Sequence, residues 1–297
     1  IDYLNKVLGV VAGLSKWNGH LYNWYNIKTL TPLIPRYIST VDSGNFVGYL
    51  YVVKTFLIEN KHKADLENLI NLVTELINNT DFSKLYSEKN KLLSIGYNLE
   101  ENKLTDSYYD FLASEARQAS IVAIAKRDIP IKHWNNLSRT LTSLNGYKGL
   151  VSWTGTAFEY LMPNVNLERY KGSILDEACK FAIMSQIEYA NRLRIPWGIS
   201  ESAFNLRDLN NNYQYKAFGI PSLGLKRGLK EDLVISPYAS IIMLPKNPDI
   251  VISNMKALIK EGGYGKYGFY DAIDYTKNRI GNESHVVVKT FMAHHQG

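Results

Sequence analysis

Three glutamates stand where a carboxyl group could do acid–base or nucleophilic work. Glu115 lies in the run Tyr108-Tyr109-Asp110-Phe111-Leu112-Ala113-Ser114-Glu115-Ala116-Arg117. On a helix its face-mates are Phe111, Leu112, Ala119 and Val122, so the carboxyl sits on an apolar stripe. A charge there is costly unless it is paired or protonated, and desolvation raises the pKa, which suits a general acid. An ion pair with Arg117 is the structural alternative. Glu201 lies in Ile195-Pro196-Trp197-Gly198-Ile199-Ser200-Glu201-Ser202-Ala203-Phe204-Asn205, just past a helix broken at Pro196. Trp197 and Gly198 would let a ligand approach closely, and Ser200, Ser202 and Asn205 add hydrogen-bonding groups. A helix-capping role for Ser200 and Glu201 is the alternative. The third acid, Glu159, stands among aromatics in Ser152-Trp153-Thr154-Gly155-Thr156-Ala157-Phe158-Glu159-Tyr160-Leu161-Met162-Pro163.

Other segments could complete a binding surface. Asp42, in Ser39-Thr40-Val41-Asp42-Ser43-Gly44-Asn45, either meets ligand hydroxyls or caps the helix that follows. Tyr213-Gln214-Tyr215, Lys226-Arg227 and Tyr270-Asp271 add polar groups that could face a ligand. The chain has 21 tyrosines and 5 tryptophans, and rings with a polar edge suit surfaces that are half greasy and half wet. A sugar ring is such a surface, although most of these tyrosines are expected to pack the core. His294-His295 is not read as a metal pair, because adjacent histidines do not share a helix face and no third ligand is spaced to help. No metal and no cofactor is expected. Phosphate-loop, zincin and nucleophile-elbow motifs are lacking, and Gly262-Gly263-Tyr264-Gly265 does not have dinucleotide spacing.

The elements that must hold these groups are mostly helical. Periodicity predicts helices over 64–77, 107–127, 174–194 and 249–260, with further ones near 46–58 and 236–244. The segment 107–127 follows Thr105 and Asp106, which could cap it, and ends before Pro130. Strand signals are few: 94–99, 150–154 and 286–290. The expectation is one all-α domain over 1–297 with long polar-aromatic loops, and no linker forces a split. The net charge is +6, but the cations are scattered, which argues against a nucleic-acid partner. No run approaches 18 apolar residues, so no span is expected. Cys179 stands alone and excludes a disulfide framework. A start at Ile1 and a stop at Gly297 read as a piece of a longer polypeptide.

Several of these motifs, together and in order, resemble the central cyclization domain of bacterial cyclic β-1,2-glucan synthases, also called glycoamylase-like. The resemblance runs through Asn18–Asn26, Pro35–Asn45, Ser94–Tyr97, Leu112–Arg117, Trp153–Pro163, Pro196–Asn205, Gly224–Gly228, Gly268–Tyr275 and Met292–Gly297, almost the whole chain. It implies an (α/α)6 toroid, similar in fold to β-1,2-glucanases, and retaining transglycosylation that closes a linear β-1,2-glucan on its own far end. The family's carboxylate pair maps onto Glu115 and Glu201, with Glu115 assigned as acid/base and Glu201 as nucleophile. The other binding residues expected are Asp42, Trp153, Glu159, Tyr160, Trp197, Asn205, Tyr213, Tyr215, Lys226, Arg227, Tyr270 and Asp271. A β-1,2-glucan hydrolase and a non-catalytic glucan-binding module are the alternatives. The implied partners are linear β-1,2-glucan and other domains of the same synthase, on the cytoplasmic side of a bacterial inner membrane. One departure stands out: between Lys54 and Asp81 only one helix is clear, and twelve helices are tight in 297 residues, so the toroid is either compact or incomplete.

Overall fold

The computed structural model describes residues 1–61 and 66–296. They gather into two compact units, Ile1–Ser138 and Arg139–Gly297.

The first unit is helical. It carries α1 (Asp2–Gly13), α2 (Thr40–Asn60), α3 (Glu67–Asn79), α4 (Ala116–Ala125) and the short α5 (Lys132–Asn136). Helix α2 starts at Ser39, whose Oγ accepts the backbone N–H of Asp42 and so satisfies one of the orphan donors of the first turn. Helix α3 follows the predicted stripe, burying Leu69, Val73, Leu76 and Ile77. It begins at Glu67, and the first two residues of the helix expected over 64–77 lie outside the described residues. Those side chains join Val47, Leu50 and Leu57 of α2, Ala119 and Ala123 of α4, and Ile38, Phe82 and Leu93 in one core. Helices α2 and α4 approach closely at Gly44, where an added Cβ would sit 2.3 Å from Ala119 Cβ. A small sheet pairs Tyr37–Ser39 with Gly96–Asn98, antiparallel, and Lys103–Leu104 extends it. It leads the chain straight into the first turn of α2.

The helix expected over 107–127 is shorter than its periodicity suggests. Residues 107–115 are irregular, and α4 begins only at Ala116. Neither Thr105 nor Asp106 caps it. Asp110 Oδ1 instead accepts the N–H of Ala113 at 2.7 Å, a local turn bond that competes with helix formation. Ala113 and Ser114 then take left-handed φ values of 47° and 49°. Glu115 is therefore the N-cap of α4 rather than a residue on its apolar stripe.

The second unit mixes helices with short hairpins: α6 (Ala157–Leu161), α7 (Pro163–Asn166), α8 (Ile174–Leu193), α9 (Tyr238–Ile241), α10 (Pro248–Lys260) and α11 (Ala293–Gln296). Helix α8 agrees with its predicted span. It is capped by Ser173, which accepts from Asp176, and ends where Arg194 turns left-handed two residues before Pro196. A hairpin of Leu141–Leu144 and Tyr147–Leu150, with its turn at Asn145-Gly146, packs on α8 through Gly149 and Phe181. The strand lies earlier than the 150–154 expected. A bulged hairpin, Ser202–Arg207 with Tyr213–Lys216, has no counterpart in the sequence reading. Its first strand continues from Glu201. Behind it stands a three-stranded sheet, Val234–Ile235, Ala272–Asp274 and Val286–Val288. The whole is helical with short strands and no closed sheet among the described residues, so the all-α expectation holds for the helices and omits the hairpins. No helix of the described residues is long and apolar enough to cross a membrane.

Candidate functional site

In the first unit the chemistry centres on Glu115. Its half-buried carboxylate accepts a hydrogen bond from Asn45 Nδ2 at 2.9 Å. Asn45 follows Asp42 by three residues on α2, so the two share a face above Glu115. Burial holds the Glu115 carboxyl above the usual carboxylate range; donation from Asn45 pulls it down, and the Asp42 charge pushes it back up. The Tyr109 phenol, also raised by burial, lies within electrostatic reach of Tyr37, Asp42 and Glu115. Two buried polar atoms beside this carboxyl lack a partner: Asn45 Oδ1 and Ser114 Oγ. Each costs about 1–3 kcal/mol, and the left-handed Ala113 and Ser114 add backbone strain. Unpaid costs of this kind concentrate where a chain is shaped for chemistry rather than for stability.

In the second unit Glu201 opens the strand Ser202–Arg207, half-buried. Its backbone carbonyl accepts from Tyr238 Oη at 3.1 Å, and the same phenol lies 2.8 Å from Ser200 Oγ. Asp271, fully buried, accepts the N–H of Ala203 at 2.8 Å on one oxygen. Its other oxygen lies 2.7 Å from His295 Nδ1. The His295 ring stacks on Tyr238, with centroids 3.8 Å apart and planes within 16°. Tyr215, on the strand Tyr213–Lys216, brings its hydroxyl to 3.2 Å from His294 Nε2 and 3.3 Å from His295 Nε2. Burial raises the Tyr238 phenol well above its ordinary range, with Ser200 opposing and the charges of Glu201 and Asp271 adding to the rise.

The remaining expected binding residues divide by exposure. Trp153 presents an open ring, 62% exposed. Lys226 and Arg227 line a small hollow, about 20 Å³, with Lys216, Phe218 and Asp232. The Tyr213 ring carries the Arg207 guanidinium at 4.3 Å, and Tyr270 packs against Phe291. Four others are spent on the fold. The Tyr160 ring is fully buried and its hydroxyl donates to the Leu150 carbonyl. Glu159 closes the turn into α6 by accepting the N–H of Thr154, while Thr156 caps that helix. Trp197 is 6% exposed, with both its backbone groups on the Asn254 amide. Asn205 donates to the Arg279 carbonyl. Gly198 does allow a close approach, but by the chain itself: at φ 133° its missing Cβ leaves room for the Ser236 carbonyl, 2.8 Å away.

Four residues that the sequence reading passed over complete these two settings: Asn45, Tyr109, Tyr238 and His295. The signal for Asn45 was its position one turn after Asp42. The signal for His295 was the dense polar run at the chain's end, weighed only as a metal pair. Among the described residues no group of three or more His, Cys, Asp or Glu could hold a metal.

Comparison with known proteins gives these settings a context. The Glycoamylase family model, described as "Putative glucoamylase", matches residues 107–297, which include Glu115, Glu201, Asp271 and His295. The cyclic β-(1,2)-glucan synthase NdvB of Rhizobium meliloti is 30% identical over 421 residues, taking in 100% of this chain and 15% of that protein. The chain thus spans a small part of that relative, and the matched span there holds residues with no counterpart here. An endo-β-1,2-glucanase from Talaromyces funiculosus shares the fold with a TM-score of 0.72 at 14% identity, over 96% of this chain and 63% of that one. An endo-β-1,2-glucanase from Chitinophaga pinensis does so with a TM-score of 0.66 at 15% identity, over 96% and 72%. With more than half of its length matched, the chain belongs to the glycoamylase family.

Proposed function

We propose that this chain is a glycoside hydrolase-like catalytic domain acting on β-1,2-glucan, and that it closes linear chains into rings by retaining transglycosylation. The substrate rests on the 30% identity with the Rhizobium meliloti synthase along the whole chain. The chemistry rests on one observation above all: the Glu115 carboxyl is held by Asn45 in a setting whose burial favours the protonated acid. In this reading both units serve a single catalytic domain, a compact or incomplete (α/α)6 toroid, within a synthase on the cytoplasmic side of a bacterial inner membrane.

Glu115 gives its proton to the glycosidic oxygen as Glu201 attacks the anomeric carbon, so the bond to the leaving chain breaks and a glycosyl ester forms. The 2-hydroxyl at the far end of the same chain then attacks that carbon, returns a proton to Glu115 and frees Glu201. Retention requires the two carboxyl groups about 5–5.5 Å apart; inverting hydrolysis would need about 6.5–9.5 Å. Trp153, Tyr213, Tyr215, Lys226, Arg227 and Tyr270 are the residues proposed to hold the glucan, and holding its end replaces an encounter in solution by proximity.

The test is to incubate the protein with linear β-1,2-glucan and treat the products with an exo-acting β-glucosidase. Resistant rings are the expected result. Shorter linear products would make the chain a hydrolase, and bound but unchanged glucan would make it a binding module. Azide assigns the roles of the two acids. Rescue of Glu115→Ala as a β-glycosyl azide is expected of an acid/base, whereas an α-azide would make Glu115 the nucleophile.

A further inference from the structure

The pair Asp271–His295 has no part in the bond-making steps above, yet both side chains are almost wholly buried, 0% and 2% exposed. Buried ionisable groups are rarely kept without a partner to serve. Here the partner is on the surface side. Asp271 accepts from Ala203, two residues beyond Glu201, and from His295 Nδ1. In the tautomer that gives Nδ1–H to Asp271, the ring nitrogen facing Tyr215 is Nε2, an acceptor. Stacking on Tyr238 fixes the ring plane, and Tyr238 in turn holds the Glu201 carbonyl. Tyr215 itself is 40% exposed.

We infer that His295, oriented by Asp271, is a positioning residue that sets the hydrogen-bond polarity of Tyr215 toward a glucan hydroxyl beside Glu201. The phenol has one hydrogen. If it goes to His295 Nε2, the phenolic oxygen is left as an acceptor, with His294 Nε2 on its other flank at 3.2 Å. A sugar O–H can then donate to it, and cannot be confused with an acceptor group. The ligand class is a vicinal-diol sugar, and the inference rests on the reading that glucan is bound here.

Double-variant kinetics on linear β-1,2-glucan test this. Tyr215→Phe removes the hydroxyl. His295→Asn keeps an amide N–H for Asp271 and loses the nitrogen that faces Tyr215. A neutral hydrogen bond is worth about 1 kcal/mol, so each variant should raise KM about 5-fold with kcat little changed. The expected result is non-additivity: Tyr215→Phe with His295→Asn together should be no worse than either alone. Multiplicative losses, about 25-fold on the same scale, would overturn the role of His295. So would a His295→Asn enzyme indistinguishable from wild type. His295→Gln, which can offer an amide group toward Tyr215 instead, provides a second variant should the asparagine fold poorly, and should restore KM in part. A wild-type protein inert toward the glucan would instead overturn the proposed function, and this inference with it. An active wild type with additive variants would overturn only the inference.

Discussion

Glu115 and Glu201 are both half-buried carboxyl groups, but the two units hold them by opposite means. Around Glu115 the support is sparse and strained. Two consecutive left-handed residues deliver it to the N-cap of α4, one amide hydrogen bond holds it, and two neighbouring polar atoms go unpartnered. Around Glu201 the support is dense: the strand it opens is tied through Tyr238, Ser200, Ala203, Asp271 and His295. A sparse, desolvated setting favours the protonated form of a carboxyl and so its exchange of a proton. A dense backbone network fixes the position of a group that must attack along one line. The difference suits an acid/base on one side and a nucleophile on the other, as proposed.

The comparison can be broken at several points. The largest effect is expected from Glu115→Gln and Glu201→Gln, each lowering turnover of linear β-1,2-glucan by about 100-fold to 10⁴-fold. Normal product formation by either variant would remove that acid from the pair. Next in size is Gly44→Ala, which drives a methyl into Ala119 where α2 meets α4. It should cost about 1–3 kcal/mol, read as a fall of several degrees in the unfolding temperature of the first unit. An unchanged melting curve would mean the two helices can part freely.

Asn45→Ala sharpens the contrast directly. Asn45 donates to the Glu115 carboxylate and so favours its ionised form. Removing that donor moves the Glu115 pKa further up, and the basic limb of the pH–rate profile should move the same way. Turnover near neutrality should fall about 10-fold to 100-fold, the scale of one hydrogen bond to a charged group. A limb that moves down would show that Asn45 does not act on Glu115.

A further effect concerns stability alone. His133 is buried in the first unit, its Nδ1 accepting from Leu93 N–H and its Nε2 paired with Ser120 Oγ. Burial lowers its pKa from 6.5 to about 4. Because the unfolded chain binds the proton more readily, stability is present above about 6.5 and is lost as pH falls toward about 4. Thermal unfolding across that window should show the loss, and His133→Gln should flatten it. Retention of the slope in that variant would assign it to another group.

Local rules carried much of this molecule into its sequence. Helix α8 is legible from its apolar spacing, the Ser173 cap and Pro196, and α3 from its stripe. The hairpin of Ser202–Arg207 and Tyr213–Lys216 was not, because its strands alternate only weakly and its pairing is bulged. The start of α4 was misjudged because the side chain of Asp110 diverts the backbone, an effect that periodicity does not register. Tyr160 and Trp197 show the same limit from the other side. An aromatic ring beside an acid reads alike whether it faces a sugar or the core, and only packing puts these two in the core.

What the sequence by itself determined is the set of acids and their immediate company, since residue types and short spacings are local and survive without a fold. It also carried the family, through motifs spread along the chain. What only the tertiary structure decided is which groups act on those acids. Asn45 comes from 70 residues before Glu115, and Asp271 reaches a backbone N–H 68 residues before it. Hydrogen bonds and desolvation depend on distances of a few ångströms, and such distances across long sequence separations exist only once the core has formed.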